Sequence, residues 1–156
     1  MKLKVLLLLL SIVFIGCENK VVNVEPEPEE IIYPVDIEIT DCPLPSGCGW
    51  RYPLTAVDDS VYVIHSEEDL SPFVTCTSGE ISIDFETYSL LYSTGGAPSF
   101  VIAVTSDLQQ ISDHEYSLNV DVTMDNTAMP GRWWVLVKVP KLLENAIVKL
   151  NLNLHR

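Results

Sequence analysis

The residues able to act as catalysts form no recognisable constellation in this chain. The three histidines, His65, His114 and His155, are far apart and form no pair at metal-ligand spacing. A nucleophilic hydrolase needs Ser or Cys beside a His and an orienting acid, and the sequence contains no Gly-x-Ser-x-Gly turn. The 22 acidic residues are too numerous for any carboxylate pair to be informative. We therefore predict no catalytic residue, no metal site and no cofactor, and a hydrolase is the least favoured interpretation.

A basic start, an apolar stretch and a cysteine follow one another at the amino terminus. Met1-Lys2-Leu3-Lys4 carries two positive charges, and Val5 to Ile15 is apolar except for Ser11. This stretch is shorter than the roughly 20 residues needed to span a bilayer. Phe14-Ile15-Gly16-Cys17 then resembles the lipobox of bacterial lipoproteins, with a small residue before the cleavage point and a thiol after it. The alternatives are an ordinary secretory signal with a structural cysteine, or a short membrane helix.

The lipoprotein resemblance implies cleavage between Gly16 and Cys17 and acylation of Cys17. Each buried methylene contributes roughly 0.8 kcal/mol, so two or three acyl chains would anchor the protein stably in a lipid bilayer. Glu18, rather than Asp, follows the cysteine, which by analogy with enteric sorting favours the outer membrane. We expect a protein of the cell envelope, facing either the periplasm or the exterior.

Residues 17–34 are predicted to form a tether between the lipid and a folded domain. Glu25-Pro-Glu-Pro-Glu-Glu30 combines like charges with prolines, and such a segment buries too little apolar surface to fold. Cleavage would remove two of the nine Lys and Arg residues and no acidic residue, so the net charge would change from −13 to −15. This charge disfavours nucleic acid as a partner.

Three further cysteines would lie in an oxidising compartment. Cys42-Pro-Leu-Pro-Ser-Gly-Cys48 is rich in turn-forming residues, and closing it would contribute roughly 2.4 kcal/mol in the chain-entropy model. We favour a Cys42–Cys48 disulfide, with pairing of either cysteine to Cys76 as the competitor. A zinc site with His65 is disfavoured because the five-residue gap is wider than usual zinc-ligand spacing.

Residues 35–156 alternate apolar and polar side chains with the period of a β-strand. The clearest runs are residues 35–40, 81–86, 115–122 and 148–154, and further candidate strands are 61–64, 89–93, 100–105 and 133–139. Turn residues separate them at Gly95-Gly96-Ala97-Pro98, Asp113-His114 and Met129-Pro130-Gly131. One helix is predicted near residues 66–72, since Ser66 precedes three acidic residues and Pro72 limits the length. The pattern predicts an all-β domain, an antiparallel β-sandwich or barrel, with one short helix.

The predicted strand from Arg132 to Val139 breaks the alternation. Trp133, Val135, Val137 and Val139 share one face, as expected of a core, but Trp134 and Leu136 lie on the other, between Arg132 and Lys138. Either another segment covers this second face, such as residues 44–57 or the short helix, or Arg132, Trp134 and Leu136 form an exposed patch for a protein partner. Phe100 to Thr105 is likewise apolar on both faces, with Phe100, Ile102 and Val104 on one side and Val101 and Ala103 on the other.

Four motifs between residues 59 and 142 follow a known order. They are Val61 to Leu70, Ile83-Asp84-Phe85, the Gly-rich segment Thr94 to Phe100, and Val139-Pro140-Lys141. Together they resemble the C-terminal domain family of the protease-complex subunit PrcB, although Ser99-Phe100 stands where the family usually has Gly-Tyr. The resemblance implies a small β domain on an envelope protein, and most members of the family have no assigned activity.

A second resemblance concerns Gly95 to Phe100 and Arg132-Trp133. Chagasin-like inhibitors of cysteine proteases also present a turn before an aromatic residue and a later Arg-Trp loop, while their Thr-Thr-Gly element is missing here. The sequence thus predicts a membrane-anchored, non-enzymatic module that binds or scaffolds another envelope protein, with a protease inhibitor as the alternative.

Overall fold

The computed structural model of the chain describes residues 31–42, 44–51, 58–77 and 81–156. The predicted signal peptide, the Gly16–Cys17 cleavage point and nearly all of the tether lie outside the described residues. Within the described ranges, no helix has the length and apolar character needed to cross a membrane.

Ten β-strands and one short helix are present in the described part of the chain. The long strands are β6 (Tyr88–Ala97), β7 (Val101–Gln110), β8 (Glu115–Met124), β9 (Gly131–Pro140) and β10 (Ile147–His155). The short elements are β1 (Val35–Ile37), β2 (Thr40–Asp41), β3 (Cys48–Trp50), β4 (Ser60–Ile64), α1 (Glu67–Leu70) and β5 (Val74–Cys76). The predicted all-β class and the short helix are confirmed.

Two four-stranded sheets make a sandwich. The first has the order β1-β7-β8-β10 and the second the order β2-β9-β6-β4, while β3 and β5 form a separate pair. Pairing is antiparallel except between β8 and β10, which are parallel from Ile147 opposite Glu115 to His155 opposite Thr123. β1 and β2 are successive pieces of one extended segment that pairs first with β7 and then with β9.

The space between the two sheets holds the main core. Trp133, Val137 and Val139 of β9 are almost fully buried there, facing residues of β8 that include Leu118 and Val120. Each such side chain contributes roughly 1.5–3 kcal/mol when it leaves water. The alternation in β8 and β9 therefore fixes which face of each strand points inward.

A second core lies on the outer face of the second sheet. Leu90, Tyr92 and Leu136 point to this side and pack against Leu70 of α1 and the nearby Phe73. β6 is therefore buried on both faces, with only Gly96 and the half-buried Tyr88 reaching solvent. Trp50 and the short helix therefore cover the part of this face around Leu136, which is one of the two arrangements expected from the sequence, while Trp134 stays half exposed.

The helix α1 begins as its capping residues predict. The Ser66 hydroxyl accepts a hydrogen bond from the Asp69 N–H (3.1 Å), and the Asp69 carboxylate accepts from the His65 N–H (3.2 Å). The first bond satisfies a donor that the helix start leaves without a partner, and the second ties the residue before the cap to the first turn. The cap holds the helix so that Leu70 enters the second core.

Two local predictions were wrong. Residues 81–86 alternate like a strand, but the Asp84 carboxylate accepts hydrogen bonds from the N–H groups of Glu86 and Thr87 and closes a turn instead. The predicted turn at Gly95-Gly96 is part of β6, where these residues pair with Trp133 and Arg132. Residues 98–100 make the connection to β7. Glycine is present at position 95 because the Trp133 indole lies where a side chain would begin.

Candidate functional site

The predicted patch of Arg132, Trp134 and Leu136 on β9 is exposed in part and buried in part. Trp134 is 52% exposed, whereas Leu136 is only 5% exposed because it packs in the second core. The inclusion of Leu136 in an exposed patch was therefore wrong. The Arg132 guanidinium forms an ion pair with the Asp58 carboxylate at 2.6 Å, with both side chains about half exposed.

The Trp134 indole lies at the edge of an aromatic cluster. Trp50 of β3 stands between two rings, with its centroid 5.7 Å from that of Tyr92 and 5.7 Å from that of Trp134. Phe73 lies 5.0 Å from Tyr92 and 5.1 Å from Tyr62. Since Tyr92 and Phe73 are buried, the cluster fixes one side of Trp134 and leaves the other side open.

A groove of about 1110 Å³ runs beside Trp134, between β7 and β9. β1 pairs with β7 only from Leu108 to Gln110, and β2 pairs with β9 only at Val137 and Lys138. The beginnings of β7 and β9 therefore have no strand on this side among the described residues. The β7–β9 groove, as we call it, is lined by residues 101–106 of β7, residues 132–136 of β9, and residues 39–42.

The β9 edge of the groove presents backbone groups. The Leu136 carbonyl accepts a hydrogen bond from the Cys42 N–H at 3.3 Å. The backbone N–H and C=O of Leu136 therefore point toward the β2 side of the strand. Backbone groups along an antiparallel strand point alternately to its two neighbours. The N–H and C=O of Trp134 therefore also face the groove, where no described residue pairs with them.

The β7 wall of the groove is largely apolar and carries an exposed side chain, Ile102. Ile102 is 61% exposed, and Phe100, which precedes β7 and lies outside the groove lining, is 48% exposed. The register between β7 and β8 shifts between Val101 and Ala103, and this irregularity turns Ile102 outward. The sequence signal was the apolar character of both faces of residues 100–105.

The predicted Cys42–Cys48 disulfide is wrong, since Cys48 pairs with Cys76 and Cys42 is a free thiol. Cys48 and Cys76 lie directly opposite each other in the antiparallel β3–β5 register, whereas Cys42 is held beside β9 by its hydrogen bond to Leu136. The bridge closes 28 residues of chain and ties β3 to β5 next to the second core.

Groups with acid–base chemistry are few in the groove. Burial raises the pKa of the Cys42 thiol, and the positive charge of Lys138 opposes this only in part, so the thiolate is disfavoured. His65 contacts Ser89 (3.1 Å) and His155 contacts Asp121 (2.9 Å), both away from the groove lining. Among residues 31–42, 44–51, 58–77 and 81–156, no three His, Cys, Asp or Glu side chains are grouped to hold a metal.

The residues that resemble protease-inhibitor loops have other positions. Gly95 and Gly96 are paired within β6, and Trp133 is 1% exposed in the main core. Phe100 is exposed at the end of the β6–β7 connection, as an inhibitory turn would require. The later Arg-Trp element is therefore part of a strand rather than of a displayed loop.

Comparison of this chain with protein-family models, with curated proteins and with solved structures finds no match.

Proposed function

We propose that this protein is a lipid-anchored module of the cell envelope that binds another envelope protein through the β7–β9 groove. The observation that carries the proposal is the pair of exposed apolar side chains at the groove, Trp134 at 52% and Ile102 at 61% exposure. Tryptophan is among the commonest anchors of protein interfaces, and an apolar groove beside one is a typical setting for such an anchor.

The neighbouring structure keeps Trp134 in place for binding. Its ring rests against Trp50, which in turn stacks on the buried Tyr92. A side chain that is already fixed loses less conformational entropy when a partner covers it. Trp134 is thus a preorganised contact rather than a mobile surface residue.

The groove opens at the far end of β7 from the point where the chain enters the domain. Tyr33 donates a hydrogen bond to Asp113 (2.6 Å), and Val35 pairs with Gln110 at the same end. Ile102 lies eight residues before Gln110 in β7, which corresponds to roughly 26 Å at the rise of a β-strand. Tyr33 and Ile102 therefore lie near opposite ends of β7.

Binding agrees with the groove chemistry better than catalysis does. Of the described residues that line the groove, only Asp41, Cys42 and Arg132 carry ionisable side chains, and Arg132 is paired with Asp58. The lipobox at residues 14–17 and the resemblance of residues 59–142 to the PrcB C-terminal domain family both favour an envelope location.

The proposal is tested by photo-crosslinking in living cells with the full-length protein. A benzophenone amino acid replaces Ile102 in the groove, and a matched control replaces Asn153, an exposed residue of β10 on the other edge of the first sheet. We expect an envelope protein to crosslink from position 102, to be lost with Trp134→Ala, and not to crosslink from position 153. Equal products from both positions, or products unchanged by Trp134→Ala, would contradict the proposal.

A further inference from the structure

We infer that the β7–β9 groove takes its partner as an added β-strand, an extended segment of another polypeptide that pairs with the edge of β9 at Trp134. This inference rests on the proposed protein-binding function and specifies how the binding occurs. The added strand would lie beside β9 next to β2, which already pairs with Val137 and Lys138 at the same edge.

The backbone geometry points to a strand as the occupant. β2 pairs with Lys138 and Val137, and the Cys42 N–H reaches the Leu136 carbonyl at 3.3 Å. Two residues earlier in β9, the backbone N–H and C=O of Trp134 point to the same edge of the strand as those of Leu136. A main-chain donor and acceptor at this position match an extended peptide, which offers both groups at regular spacing.

The two walls of the groove have different roles. The irregular register at Val101 and Ala103 disturbs the β7 edge, and such bulges protect an edge from pairing. The β9 edge is regular from Gly131 to Pro140 in its pairing with β6. β9 therefore provides the hydrogen bonds, while residues 101–106 of β7, which include the exposed Ile102, line the opposite side of the groove.

Charge sets the composition of the segment. The chain carries a net charge of −13, and the positive charge of Arg132 in the groove is already balanced by Asp58 at 2.6 Å. An acidic segment would be repelled, so the partner segment is neutral or basic with apolar residues at every second position.

The probe is a blocked peptide, Lys-Thr-Val-Thr-Val-Thr-Lys, titrated into the isotope-labelled full-length protein in detergent. Amide chemical shifts report binding, with a dissociation constant expected on the order of micromolar to millimolar for so short a segment. We expect shifts at Trp134 and along residues 101–106. Two further peptides carry N-methyl groups on the threonines or on the valines, and at least one should bind about tenfold more weakly, because a methylated amide cannot donate.

Two variants of one residue separate backbone from side chain. Trp134→Ala removes the indole and keeps the N–H, whereas Trp134→Pro removes both, and this N–H is not used in pairing with β6. We expect the peptide to bind Trp134→Pro about tenfold more weakly than Trp134→Ala. If Trp134→Pro fails to fold, the methylated peptides still decide the matter.

The inference is overturned if no peptide shifts these amides, if both methylated peptides bind like the parent, or if the shifts lie elsewhere. It is also overturned if the same amides shift with protein concentration alone, which would indicate a second copy of the chain in the groove. Crosslinking from position 102 that persists while the peptides fail would refute strand addition and leave the protein-binding function standing. Loss of that crosslinking would instead refute the function itself.

Discussion

Trp133 lies directly opposite Gly95 in the β6–β9 register, and its indole occupies the space where a side chain at residue 95 would begin. A Cβ on Gly95 would lie 2.7 Å from Cζ2 of Trp133 and would also meet the Asp59 carboxylate. Because Trp133 is 1% exposed, its ring has little room to move. The smallest residue on β6 thus admits the largest side chain of the main core.

Gly95→Ala is therefore expected to lower the free energy of unfolding by about 1–3 kcal/mol, the usual range for overpacking a core. Gly96→Ala is the matched control, because nothing lies within 4 Å of its Cβ position, and it should change stability by less than about 1 kcal/mol. Urea unfolding measures both. Equal effects of the two substitutions would contradict the packing of Trp133 over Gly95.

The Cys48–Cys76 bridge should be a main contributor to stability. It closes 28 residues, for which the chain-entropy model gives about 3.5 kcal/mol. Cys48→Ser or Cys76→Ser should lower the free energy of unfolding by about that amount, whereas Cys42→Ser should change it little. Thiol labelling in denaturant, followed by peptide mapping, should modify Cys42 alone among these three cysteines. Finding Cys42 in a disulfide would contradict the structure.

Ser66 holds the start of α1, and α1 carries Leu70 into the second core. Ser66→Ala removes the acceptor of the Asp69 N–H and should cost about 1 kcal/mol. Ser66→Thr keeps a hydroxyl at the same place and should recover most of this loss. Thermal unfolding of the three proteins side by side checks this, and equal midpoints would show that the cap does not stabilise the helix.

Acid should destabilise the domain through exposed carboxylates that accept hydrogen bonds. The Thr87 hydroxyl lowers the pKa of Asp84, the Thr127 hydroxyl lowers that of Asp125, and His155 lowers that of Asp121. A lowered pKa in the folded state contributes stability above the unfolded value of about 4, and this is lost as the pH falls through the folded value.

The double variant Asp84→Asn, Asp125→Asn removes two of these titrating groups while keeping oxygen acceptors. We expect its thermal midpoint to fall less than that of the wild type between about pH 5 and pH 3. The comparison is made with the same buffer and ionic strength throughout. Parallel curves for the two proteins would mean that other groups govern acid sensitivity.

Local patterns in the sequence were sufficient for the all-β class, predicted as a sandwich or a barrel, and for the short helix. The strict alternation of β8 and β10 and the capping residues before α1 each act within a few residues, so their outcome follows from the order of side chains. The same reasoning left open whether the second face of β9 is covered or exposed, and the structure covers Leu136 but leaves Trp134 half exposed. Local patterns could not specify that Trp50 stacks on Tyr92, because that contact joins residues distant in sequence.

Apart from the local turn at Asp84, the missed features depend on tertiary contacts. Gly95 looks like a turn residue until Trp133 lies opposite it, and Cys42 looks like a partner of Cys48 until β5 brings Cys76 into register. The exposure of Ile102 follows from an irregular register with β8 that no local pattern shows. The groove between β7 and β9 arises because β1 and β2 are too short to cover both edges.

The affinity of the Trp134→Ala variant for the partner is the most direct test that the β7–β9 groove binds an envelope protein. The matched control is Leu143→Ala, which removes a comparably exposed apolar side chain that does not line the groove. Once crosslinking from position 102 has identified the partner, its affinity for the wild type and both variants is measured with full-length proteins. A hot-spot tryptophan predicts a loss of about 30-fold for Trp134→Ala, equivalent to about 2 kcal/mol, and no change for Leu143→Ala. Equal affinities of the wild type and Trp134→Ala would contradict the account.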